Sequence, residues 1–141
     1  MRITPDKARA LLHAHDHGIL STVHVERGVD AVPVVYAVSD DLVGIPVDQV
    51  KPKASTVLQR ERNLRADPRA TLLIEHWDPA DWSRLWWVRA TLRWQAEGSD
   101  EEYRALGNLL EGKYEQYRDQ PFARVLALRI TGLTGWSGDS G

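Results

Sequence analysis

Six of the eighteen lysines and arginines of this 141-residue chain lie within residues 51–69: Lys51, Lys53, Arg60, Arg62, Arg65 and Arg69. Only Glu61 and Asp67 oppose them there, in a chain of formal net charge −2. Such a run has one evident chemical use, which is to hold an anion. Residues 48–65 pass through a proline-punctuated basic loop and enter a short helix. Thr56 and Gln59 have capping-box spacing, which predicts a helix start at Ser55 or Thr56. Free N–H groups at a helix start, flanked by lysine and arginine, attract phosphate or carboxylate. The same charges can equally form a solvated basic face. Composition leaves both readings open.

Other chemistry is limited by what the chain contains. There is no cysteine, so disulfides, thiolate metal sites and cysteine nucleophiles are excluded. His13 and His17 are four residues apart, as zinc-binding helical pairs are. Gly18 ends the helix beside His17, however, and no acid stands between them at the metalloprotease position, so no metal is expected. Four of the six tryptophans (Trp77, Trp82, Trp86, Trp87) fall within eleven residues. Core and interface packing accounts for such a cluster. Trp86 or Trp94 is expected in packing, and Trp77 and Trp87 at an interface or a ligand wall. Nucleophile-elbow, phosphate-loop and dinucleotide motifs are absent. The slightly acidic balance argues against a dedicated nucleic-acid binder. No run is apolar enough to span a membrane, and the first residues lack a signal-peptide core, so a cytoplasmic protein is expected.

The elements that must position the basic segment read as strands joined by short turns. Thr4-Pro5-Asp6 opens a helix with a hydroxyl cap and proline in its first turn, and Gly18 is expected to stop it. Ala8, Leu11, Leu12 and His15 share one helix face. Strands are expected over residues 19–26, 29–38, 42–47, 69–77, 85–95 and 124–131. Pro33 and Pro46 each remove a ladder donor and belong at edges, bulges or a ligand-facing rim. Trp86, Val88, Ala90, Leu92 and Trp94 alternate onto one side. Ser99 and Glu102 form a capping box before a third helix, and residues 132–138 read as a loop. A mainly β domain spanning residues 1–141 follows: a six-stranded antiparallel barrel with peripheral helices, closure protecting its edges.

The order of motifs resembles the split β-barrel, flavin-binding superfamily typified by pyridoxamine 5′-phosphate oxidase, and within it the F420-dependent (deazaflavin) branch. The carriers are Gly18-Ile-Leu-Ser-Thr22, Val32-Pro-Val-Val-Tyr36, Lys51-Pro-Lys53, Arg60-Glu-Arg-Asn-Leu-Arg-Ala-Asp-Pro-Arg69, Trp82-Ser-Arg-Leu-Trp-Trp-Val-Arg89 and Gly135-Trp136. Together they span residues 8–136. Two stretches depart from the pattern. Arg27-Gly-Val-Asp-Ala-Val-Pro33 replaces a common Gly-x-Pro hairpin tip, and Leu42-Val-Gly-Ile-Pro-Val-Asp48 lacks the usual aromatic or hydroxyl residues.

The resemblance implies a homodimer with cofactor at the subunit interface and a small-molecule substrate. It places Arg60, Lys53 and Lys51 at the cofactor phosphate, with Ser55 and Thr56 offering hydroxyls and Asn63 among the contacts. Val34, Val35 and Tyr36, with Pro46 and Val47, match strands flanking the ring. The Trp86-Trp87 strand, His76-Trp77 and Trp136 are contributions across the dimer. A basic run continuing through Arg62 and Arg65 suits the long anionic tail of F420 better than the single phosphate of FMN. The implied function is an F420-dependent oxidoreductase acting on a conjugated or heteroaromatic molecule. An FMN-dependent oxidase or reductase, and a non-catalytic flavin, deazaflavin or tetrapyrrole binder, are the alternatives. Tyr36 and His76 could donate a proton, although packing in a strand explains each as well.

Overall fold

The computed structural model describes residues 1–48 and 58–139. Helix α1 (Pro5–Ala14) starts as its sequence dictates: Thr4 is the N-cap, its hydroxyl accepting from the Lys7 amide at 3.2 Å, with Pro5 in the first turn. Ala8 and Leu12 are its buried residues. The helix ends at Ala14, capped by His15 in extended conformation, and not at Gly18. Gly18 instead opens strand β1 (Gly18–His24), where a Cβ would stand 2.8 Å from the Leu73 carbonyl oxygen. Close approach of two backbones requires that glycine.

The remaining elements are β2 (Gly28–Val34), β3 (Ala37–Ser39), β4 (Leu42–Asp48), α2 (Gln59–Ala66), β5 (Arg69–His76), β6 (Trp86–Trp94), α3 (Asp100–Lys113) and β7 (Phe122–Ser137). The strands make one antiparallel sheet in the order β2-β1-β5-β6-β7-β4-β3. Three expectations are corrected. The strand count is seven, because the expected strand 29–38 divides: β2 pairs with β1, and after Val35 and Tyr36 the chain joins β4 at the opposite end of the sheet. No pairing joins β2 to β3 among the described residues, so the sheet is open and not a closed six-stranded barrel. The tail 132–138 is strand as far as Ser137: Gly135 pairs with Val88 and Trp136 with Trp87. Glycine there marks close packing and not a loop, since a Cβ on Gly135 would lie 2.5 Å from the Ile3 side chain. The Ile3 amide donates to the Gly135 carbonyl at 3.1 Å.

Both prolines sit where the ladder spares a donor. Pro33 is on the edge strand β2, opposite Ile19. Pro46 faces Val125 of β7, beyond Leu42–Gly44, where β3 covers the other side of β4. Alternation along β6 holds as expected, with Val88, Ala90 and Leu92 buried. With Leu12, Leu20, Tyr36, Ile45, Leu72 and Leu128 they form the main core. A smaller cluster under α3 joins Leu106 and Leu110 to Leu42 and Ala127. The capping box of α3 is present in both directions: the Ser99 hydroxyl accepts from the Glu102 amide at 3.1 Å, and the Glu102 carboxylate accepts from the Ser99 amide at 3.0 Å. Ser99→Ala is therefore expected to lower the unfolding free energy by about 1 kcal/mol, read as a shifted urea midpoint with unchanged slope. No helix among the described residues is long and apolar enough to cross a membrane.

Candidate functional site

Helix α2 carries Arg60, Arg62 and Arg65 of the basic segment and has little apolar surface to anchor it; Leu64 is its buried apolar residue. It starts at Gln59 with Leu58 as N-cap and no side-chain cap bond, three or four residues later than the capping-box spacing predicts. Gln59 bonds elsewhere, its amide donating to Asn63 Oδ1 at 2.9 Å. The helix is held instead by two buried polar clamps.

The first clamp is Glu61, 1% exposed and chelated by the Arg124 guanidinium of β7. Arg124 Nε donates to Oε2 at 2.9 Å and Nη2 to Oε1, a bidentate geometry that an arginine fork makes well. The second is Asn63, whose amide donates to Thr22 Oγ1 of β1 and to Asp30 Oδ2 of β2, both at 2.9 Å. Both Asn63 amide hydrogens and its oxygen are thus engaged within the fold, and its side chain anchors α2. Arg27 grips the same Asp30 carboxylate at 2.8 and 2.9 Å. These bonds, Arg27 first and Asn63 second, hold Asp30 down to about 2. Asn63→Ala should cost about 1–3 kcal/mol by leaving buried partners unmet. Because the folded-state pKa of Asp30 is depressed, its stabilisation is present above the ordinary carboxylate range and is lost as pH falls toward 2. Asp30→Asn should accordingly flatten the acid limb of the unfolding midpoint between pH 4 and about 2.

Arg60 directly precedes the Glu61 clamp. Its Nε is buried and has no hydrogen-bond partner among the described residues. Burial lowers its pKa from the usual arginine value, opposed by the charges of Glu61 and Asp48. Asp48 ends β4, and one of its oxygens accepts from the Tyr117 hydroxyl at 2.8 Å. Arg60 as a whole is half-buried, and a buried donor left unmet carries a desolvation cost. Arg62 and Arg65 point to solvent, Arg65 lying 5.7 Å from the Trp94 ring. Lys51, Lys53, Ser55 and Thr56 lie outside the described residues.

The ring-flanking candidates divide. Val34, Pro46 and Val47 are buried, and Val35 is half-buried in the link from β2 to β3. Tyr36 is wholly in the core, its hydroxyl donating to the Leu12 carbonyl at 2.6 Å, and burial raises its pKa. It is a packing residue, not an available proton donor. Its carbonyl accepts from Lys113 Nζ at 3.0 Å and from the Tyr114 hydroxyl at 2.8 Å, fixing the link from behind. Trp87 lies on the outer face of the sheet, opposite Trp136, with the Arg89 guanidinium 5.4 Å from its ring. Exposed Ile19 and Leu73 pair on that same face. Trp77 is exposed, its ring 5.9 Å from that of Trp82. Trp86 and Trp94 pack against the main core. Glu61 is the support that sequence reasoning missed, an acid alone inside a basic helix being the available signal; Asn63, expected among the cofactor contacts, bonds within the fold.

Solved structures supply the comparison. An FAD-binding protein from Mesorhizobium loti superposes with a TM-score of 0.70 at 14% identity, over 96% of this chain and 93% of that one. An F420 reductase superposes with a TM-score of 0.64 at 18% identity, over 92% and 98%. This chain has the fold of these proteins. A heme-binding protein from Mycobacterium smegmatis shares it too, with a TM-score of 0.69 at 16% identity, over 97% of this chain and 60% of that one. The resemblance read from the motifs thus holds at the level of the fold. No family model and no curated protein matches the chain.

Proposed function

We propose that this chain is an F420-dependent oxidoreductase that moves a hydride between the deazaflavin and a small conjugated or heteroaromatic molecule. The observation that carries the reading is Arg60, whose buried Nε has no partner among the described residues, on a helix clamped at Glu61 and Asn63. A guanidinium with a buried, unmet donor suits a phosphate oxygen through a charge-assisted bond. Lys51, Lys53, Ser55 and Thr56 of the basic segment join it at the phosphate, and Arg62 and Arg65 receive the further negative charges of the tail. Val34, Val35, Pro46 and Val47 lie in or next to the strands that would flank the ring, with Val35 the one not buried. Hydride transfer is the chemistry the cofactor supplies when bound; the protein binds it, orients it and shields it from water.

Residues 1–141 form one domain in this reading, and two copies associate as a split-barrel homodimer. The outer sheet face, with Ile19, Leu73, Trp87 and Trp136, supplies the apolar contact, as contiguous exposed apolar surface commonly does. Trp77 and Trp87 then stand at the wall shared with the partner. FMN in the same site, making an oxidase or reductase of the pyridoxamine phosphate oxidase type, is the nearest alternative. A second reading, a non-catalytic binder of flavin, deazaflavin or tetrapyrrole, is favoured by the FAD-binding and heme-binding proteins that share the fold. Turnover separates them. Reduced F420 mixed with the protein and a panel of nitro-heteroaromatics, quinones and enones should be oxidised faster than without protein. Binding without oxidation by any panel member would favour the second reading.

A further inference from the structure

We propose that His15, Asp16 and His17 form a binding site for a divalent transition-metal ion of the zinc type, in a place that the cofactor reading does not use. His15 caps α1 with φ −79° and ψ 154°, so the chain leaves the helix extended. Side chains two apart in an extended chain share a side. The His15 and His17 rings are accordingly stacked, with centroids 5.5 Å apart and planes 29° from parallel. One potential ligand atom from each of His15, Asp16 and His17 falls within 4.8 Å of the others. Two imidazole nitrogens bound to one tetrahedral zinc stand about 3.3 Å apart, so small side-chain rotations would close the set.

The surroundings favour a cation. Asp16 Oδ1 is 2.6 Å from His17 Nδ1. A carboxylate against an imidazole orients the ring and raises its basicity. His15 packs edge-on against Trp86 at 5.4 Å, which limits its ring to few orientations. Glu75 lines the same cleft of about 80 Å³ as His15 and His17 and adds a second negative charge. Lys113 is the opposing cation, and its ammonium is engaged by the Tyr36 carbonyl at 3.0 Å. Two imidazoles and a carboxylate suit zinc, nickel or copper, with the exposed side left for water or a further ligand. His13, one turn earlier, is not a member of the cluster.

Tag-free full-length protein titrated with Zn²⁺ by calorimetry tests the proposal without any cofactor. The expected result is one ion per chain, with His15→Ala and His17→Ala each weakening binding by at least about tenfold and the double variant losing it. His17 is exposed, so its variant should keep the wild-type circular dichroism and report on ligation alone. Saturable one-to-one binding that survives in the double variant, or no binding by the wild type at micromolar zinc, would overturn the assignment. Neither outcome bears on Arg60 or the cofactor.

Discussion

Alanine in place of Glu61 is expected to lower the unfolding free energy by about 3 kcal/mol. Removing one member of a buried ion pair costs about 3–5 kcal/mol because the other charge is left desolvated. The lower end applies here: Glu61 is 1% exposed, but the Arg124 side chain is 34% exposed and water can replace part of what it loses. The loss also frees α2 from β7, because Leu64 is the helix's buried apolar residue. Glu61→Gln keeps the shape and one neutral hydrogen bond, and should cost roughly 1–2 kcal/mol. Urea unfolding followed by tryptophan fluorescence measures both. A cost below about 1 kcal/mol for the alanine variant would mean that α2 is held by something other than this clamp.

Arg60→Ala should act in the opposite sense on stability and strongly on binding. Its Nε is buried with no partner among the described residues, so removing the guanidinium costs no hydrogen bond seen at that atom and should leave stability unchanged or slightly raised. Cofactor binding should weaken by about 1–3 kcal/mol, roughly five- to 150-fold. Arg62→Ala and Arg65→Ala, both at exposed positions, should each have a smaller effect that fades with added salt. This divergence between stability and affinity distinguishes an anion grip from a structural arginine. Equal losses in both would assign Arg60 to the fold alone.

What the sequence made legible was local. Thr4 with Pro5, and Ser99 with Glu102, announce their helices because a cap and its partner lie within four residues. The alternation of Val88, Ala90 and Leu92 is likewise visible over five positions. The errors come from partners distant in sequence. Residues 29–38 carry one continuous β signal, yet β2 belongs with β1 and β3 with β4, and nothing in Val35 or Tyr36 marks the change of partner. Gly132 and Gly135 read as breakers until β6 and Ile3 are seen beside them. In the site, the positive run was evident, but Glu61 meets Arg124 across 63 residues and Asn63 meets Thr22 across 41. Those separations hide the clamps that position Arg60. Helical spacing pairs His17 with His13 in the sequence, whereas the chain is already extended at His15 and His17 stacks on His15 instead.

The central claim is that this fold, with Arg60 and its basic segment, takes F420. The direct measurement is a titration of the purified protein against F420 and, separately, FMN, followed by ring fluorescence. The account predicts saturable binding of F420 that is tighter than that of FMN and is weakened by Arg60→Ala. Tight FMN binding with no response to F420 would contradict it.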